Sequence, residues 1–261
     1  MWLILSTLLV YIVTAAAVFG VQLVAVTAVL TWRTGSLDIE RDAMAALLIG
    51  VPASSLTLIG IALVVAGRQP RARLRLLPSR LAPRDVAVAV LGILAVSQAL
   101  DSLVLLLEVG TGPALEWMNR TLASASRAGL LLAVVVVGLL APVGEELFFR
   151  GYMLTRLRRA WSAGPAILVT AIAFGVIHGE WVHGVLAAGI GIYLGVVAER
   201  AGSVVPAIVC HVANNTASVL LSALVGSPRG RVLNAVLVAV SAVIVAWALR
   251  RLARVPSAPA A

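Results

Sequence analysis

Apolar residues run along this chain in long unbroken stretches, not at the intervals of an amphipathic helix or strand. A helix that crosses a bilayer needs about 20 mostly apolar residues. Eight such runs stand out: residues 2–32, 43–66, 86–107, one from 128 through Pro142 into the Glu145-Glu146 pair, 162–178, 181–198, 203–225 and 232–249. The predicted fold is therefore all-α, a polytopic membrane bundle of about eight transmembrane helices. The first run carries no charge and no basic residues precede it, so it reads as a first anchor and not as a cleaved signal.

Composition supports this solvent. The chain of 261 residues is 61% hydrophobic and 12% charged, against about 25% charged for a soluble domain. That excludes an ordinary cytosolic enzyme, a disordered chain and a disulfide scaffold; the single Cys210 has no intrachain partner. The net charge of +9 does not point to nucleic acid, because the arginines gather between the apolar runs. The basic loop 68–84 is expected to lie against anionic lipid. Of the 20 arginines, 14 fall on one side of an eight-helix layout and 6 on the other, which predicts both termini in the cytoplasm. Arginine without lysine, with abundant Ala and Val, suggests GC-rich coding and hence a bacterial plasma membrane protein. No soluble domain or internal repeat is visible. Residues 1–127 supply the N-terminal helices, 128–225 a core, and 226–261 a last helix and a Pro-rich tail expected to be disordered after Arg254. Together they make one membrane domain.

Ionisable groups inside hydrocarbon are costly and so are candidate functional groups. Three clusters stand out: Glu145-Glu146 with Arg150, Phe174 with His178, and His211 with Asn215. Glu146 and Arg150 are spaced i,i+4 with the acid first, the favourable order for a pair. Glu145, about 100° round the helix, faces elsewhere. His211 and Asn215 share a helical face. Taken singly, the acids also fit interfacial caps, and the His and Asn residues fit hydrogen bonds that hold helices together. Depth joins the three clusters. If the fourth helix runs on to about Arg158, Glu145 lies about 20 Å from that end, His178 about 24 Å from residue 162, and His211 and Asn215 about 12 and 18 Å from residue 203. Convergence requires that longer helix. His183 and Glu180, in the short turn after His178, read as solvated interfacial groups, and Asp101 as interfacial. Gly184, Ala187, Ala188, Gly191 and Gly195 read as a close helix-packing face.

At these residues the chain resembles the CPBP family of intramembrane proteases, which includes type II CAAX prenyl endopeptidases and bacteriocin-processing or self-immunity proteins. The family pattern EExxxR, FxxxH, HxxxN matches Glu145-Glu146…Arg150, Phe174…His178 and His211…Asn215. The stretch 198–206 is also similar, and the likeness spans about residues 128 to 225. The resemblance implies hydrolysis of a peptide bond in a membrane-embedded or membrane-associated peptide. Glu145 and His178 would activate water, His211 and Asn215 would stabilise the oxyanion, and Glu146, Arg150 and Phe174 would support them. A carboxylate in a low-dielectric cavity is suited to shuttle a proton. Fixed Asn and His donors suit developing negative charge.

Two forms of the chemistry stay open: Zn²⁺ held by Glu145, His178 and His211, or metal-free glutamate catalysis, which is slightly favoured. The expected partners are membrane lipid and a peptide or membrane-protein substrate, with no nucleic acid. Two other classes compete: a non-catalytic immunity or scaffold protein, whose phenotype would survive Glu145→Gln, and a proton-coupled transporter, which would release no new peptide termini.

Overall fold

The computed structural model describes residues 1–225 and 230–255. Arg229 and most of the tail expected to be disordered lie outside those residues. The described residues hold no strand. Counting the fourth long span as one element, the helices are α1 (Trp2–Thr34), α2 (Ala43–Ala66), α3 (Pro70–Arg73), α4 (Pro83–Leu107) and α5 (Pro113–Ala123). They continue with α6 (Arg127–Arg158), α7 (Ala163–Val176), α8 (Trp181–Ala201), α9 (Val205–Leu224) and α10 (Arg231–Ala253). Proline occupies the first turn of α3, α4, α5 and α9, where its missing N–H is not needed.

Among the described residues, seven helices are long and apolar enough to cross a membrane: α1, α2, α4, α6, α8, α9 and α10. Their outward faces expose large apolar side chains such as Leu9, Val24, Val64, Leu131 and Val243, an arrangement suited to lipid and unfavourable in water. The apolar run at 162–178 forms a shorter helix than the other seven. α7 has 14 residues, about 21 Å, short of a hydrocarbon core of about 30 Å. It stops because Gly179 turns the chain at φ 72° and Glu180 caps the next helix through both carboxylate oxygens. The segment between α4 and α6, expected to be loop, contains α5. Its Trp117, Met118 and Leu122 pack with Leu47 of α2 and Val219 of α9.

The central helix is α6, and it runs as far as the depth argument required. It alternates α-helical segments (Arg127–Ala133, Ala141–Glu146, Thr155–Arg158) with wider π-helical turns (Val134–Leu140, Leu147–Leu154). Close approaches fix its neighbours. A Cβ on Gly144 would lie 2.8 Å from the Ser55 carbonyl oxygen of α2, and one on Gly138 would lie 2.7 Å from Thr216 Oγ1 of α9. α7 and α8 meet backbone to backbone at Gly175 and Gly184, in keeping with the small-residue face read from the sequence. The short side chains let the axes approach closely.

At the basic end, loop 67–82 is docked onto the bundle. Arg75 and Arg158 hold opposite oxygens of the buried Glu199 carboxylate, at 2.6 and 2.7 Å. Ser203 Oγ donates to the Leu77 carbonyl. Arg75 is therefore a buried structural cation and not a lipid-facing loop charge.

Candidate active site

The site forms where α6 widens. A π turn shifts the backbone bond from i→i+4 to i→i+5, and such turns collect at functional sites. Here the Ala141 N–H reaches back to the Val136 carbonyl, so the next donor due is residue 142. That residue is proline and has no N–H. The Val137 carbonyl is left without its helical partner, and Asn215 Nδ2 of α9 donates to it at 3.2 Å. Asn215 thus ties α9 to the defect in α6. Its own Oδ1 faces Asn214 Nδ2 at 3.4 Å.

One helical turn further along, Glu146 is fully enclosed. Its Oε1 accepts from Arg150 Nη1 at 2.6 Å and from His211 Nδ1 at 2.8 Å. Arg150 is 1% exposed, so it is not a loop charge at the basic end; its Nη2 donates to the Gly191 carbonyl of α8 at 2.9 Å. The i,i+4 pair expected from the sequence is present, and the reading of Glu146 as an interfacial cap is overturned by its burial.

Glu145 was expected to face away from this pair. It is partly exposed, and its Oε2 stands 3.6 Å from His211 Nε2. The two adjacent acids point apart on the helix and yet flank the two nitrogens of one imidazole. A carboxylate paired with Arg150 is an acceptor only, so His211 Nδ1 carries a proton and Nε2 is the nitrogen turned to Glu145.

Phe174 gathers the rest. Its ring lies 4.7 Å from the Arg150 guanidinium, 4.9 Å from the His178 ring and 5.7 Å from the His211 ring. His178 sits just past the end of α7. Its Nδ1 donates to the Phe174 carbonyl at 2.7 Å, and Nε2 has no hydrogen bond among the described residues. Among the described residues no hydrogen bond joins His178 to Glu145; the two come to one region through Phe174.

His183 was read as solvated. It is half-buried, with its ring 4.4 Å from that of His178. The only signal for this in the sequence was a five-residue step across a Gly-Glu turn. Asp101 is exposed on α4.

Both imidazoles have Nδ1 held by an acceptor, as metal-binding histidines do. The fit ends there. Among the described residues no three His, Cys, Asp or Glu side chains are gathered closely enough to hold one ion, so the set Glu145, His178 and His211 does not close around a metal in this conformation.

An all-helical membrane bundle with acid, imidazole and guanidinium groups buried together defines a membrane protein built around an internal polar centre. Residues 127–217, about a third of the chain, match the family model described as Type II CAAX prenyl endopeptidase Rce1-like. The matched segment contains Glu145, Glu146, Arg150, Phe174, His178, His211 and Asn215. An uncharacterized 24.3 kDa protein of Escherichia coli is 32% identical over 71 residues, which are 26% of this chain. The chain spans about a third of the length of that curated relative. No solved structure matches the chain.

Proposed function

We propose that the chain is a multi-pass endopeptidase of a bacterial plasma membrane, with both termini in the cytoplasm, that cleaves a membrane-embedded or membrane-associated peptide by side-chain-activated water. The observation that carries this reading is the placement of Glu145 and Glu146 on the two nitrogens of His211, inside a membrane-spanning helix. Glu146, neutralised by Arg150, holds His211 in one tautomer. Glu145 keeps its carboxylate free to take a proton from water as it attacks the scissile carbonyl. His178, whose Nε2 has no hydrogen bond among the described residues, shares the base role. His211 Nε2, on receiving that proton from Glu145, donates to the oxyanion, and Asn215 supports it by holding α9 in register against α6. The proton then passes to the leaving amine. Acid–base groups of this kind contribute about 10²–10⁴-fold each.

Purified protein in nanodiscs, offered lipid-anchored fluorogenic peptides, tests the reading. Glu145→Ala and His178→Ala should each lose at least about 100-fold in kcat. Equal cleavage by wild type and both variants refutes the roles. In cells, peptide termini of membrane proteins should change between wild type and Glu145→Ala. A phenotype that survives Glu145→Gln would favour the non-catalytic reading instead.

A further inference from the structure

His178 stands where its helix no longer supports it. α7 ends at Val176, and the chain reverses at Gly179, φ 72°. Among the described residues the side chain has one hydrogen bond, from Nδ1 to the Phe174 carbonyl. A single bond fixes the tautomer but leaves the imidazole free to swing about it. Two rings restrict that swing. Phe174 meets the imidazole edge-on, with planes at 86°. His183 approaches more closely, its centroid 4.4 Å away and its plane at 61°.

His183 is itself held by a rigid element. It lies in the first turn of α8, where Glu180 Oε1 accepts from the Val182 N–H at 2.8 Å and Oε2 from the His183 N–H at 3.0 Å. Both early donors of the helix are thereby satisfied and the turn is pinned. Gly112, from the loop between α4 and α5, packs so tightly on the Glu180 carboxylate that a Cβ there would overlap it. Phe19 of α1 lies against Gly179. Two separate elements thus converge on the turn that carries His178 and on the cap that carries His183.

We propose that His183 is a positioning residue: its ring closes a clamp with Phe174 that keeps the His178 imidazole in the orientation that leaves Nε2 free. The role belongs to the ring and not to its nitrogens. This rests on the role proposed above for His178, and it adds a residue that no motif includes. A base displaced by about 1 Å loses on the order of 100-fold in rate, so the clamp acts on kcat while substrate binding is left alone.

The test compares wild type, His183→Ala, His183→Phe and His178→Ala, all full-length in nanodiscs. The first readout needs no substrate: the rate at which diethyl pyrocarbonate carbethoxylates His178, followed by mass spectrometry. His183→Ala should raise that rate severalfold, and His183→Phe should leave it within twofold of wild type. The second readout is cleavage of the lipid-anchored fluorogenic peptides. His183→Ala should lower kcat by 10-fold or more with KM within twofold, and His183→Phe should restore kcat to within threefold of wild type.

A His183→Ala protein with wild-type carbethoxylation and kcat overturns the clamp. A His183→Phe protein as impaired as His183→Ala also overturns it, because a nitrogen would then be required. If His178→Ala cleaves normally, the proposed role of His178 fails, and the carbethoxylation rates still decide whether His183 holds the ring.

Discussion

Glu146 is the residue whose loss should be felt most widely. Its enclosed carboxylate is the counter-charge to an arginine that is itself almost wholly buried. Removing one partner of such a pair leaves an uncompensated buried charge, which costs about 3–5 kcal/mol. His211 Nδ1 would lose its acceptor as well, at about 1–3 kcal/mol for an unsatisfied buried donor, although the two penalties overlap. Glu146→Ala should therefore destabilise by about 4 kcal/mol or more. Arg150→Met should cost a similar amount, since it removes the partner charge, the bond to the Gly191 carbonyl and the contact with the Phe174 face.

The double variant should cost clearly less than the sum, because no lone charge then remains buried; a coupling of about 2–3 kcal/mol is expected for residues in direct contact. Reversible unfolding in mixed detergent measures all three. The exposed pair Arg120–Glu40, at 3.9 Å, is the internal control, and its removal should be nearly silent. Single variants that lose less than about 1 kcal/mol, or effects that add within about 0.5 kcal/mol, would refute the network. Glu146→Gln adds a functional arm: the side-chain shape is kept and the charge is lost, so the fold should survive better than activity.

Other consequences follow from particular contacts. Asn215→Ala strips the Val137 carbonyl of its donor, so stability should fall by about 1–3 kcal/mol along with activity; unchanged thermal unfolding would show that the bond to α6 carries nothing. Gly175→Ala drives a methyl into the Gly184 backbone, and overpacking of this kind costs about 1–3 kcal/mol; a variant as stable as wild type would mean that α7 and α8 are free to part. Metal-free chemistry predicts full cleavage by chelator-stripped protein. Activity lost on stripping and restored by Zn²⁺ would mean that Glu145, His178 and His211 close around an ion in the working state.

Much of this molecule was legible in one dimension. The solvent, the all-α class and the long spans follow from unbroken apolar runs, because a bilayer demands length and hydrophobicity and both are written locally. The Glu146–Arg150 pair was also legible, since i,i+4 spacing on one helix needs no tertiary information. The depth argument brought the motifs into one layer because helical rise is fixed.

Spacing could not say which groups touch within that layer. Only the packing of α9 against α6 decided that one imidazole would sit between two adjacent acids, since the relevant separation is 65 residues of chain. Only the π register of α6 showed that Pro142 leaves the Val137 carbonyl for Asn215, because register depends on how neighbours pack. The length of α7 depended on where a turn falls: residues 162–178 are apolar throughout, but Gly179 and the Glu180 cap end the helix early. His183 was misread for the same reason. A histidine after a turn is solvated by default, and its partial burial depends on how the turn folds back onto His178. Local composition determined where this chain can live. The approach of distant helices decided which of its few polar groups meet.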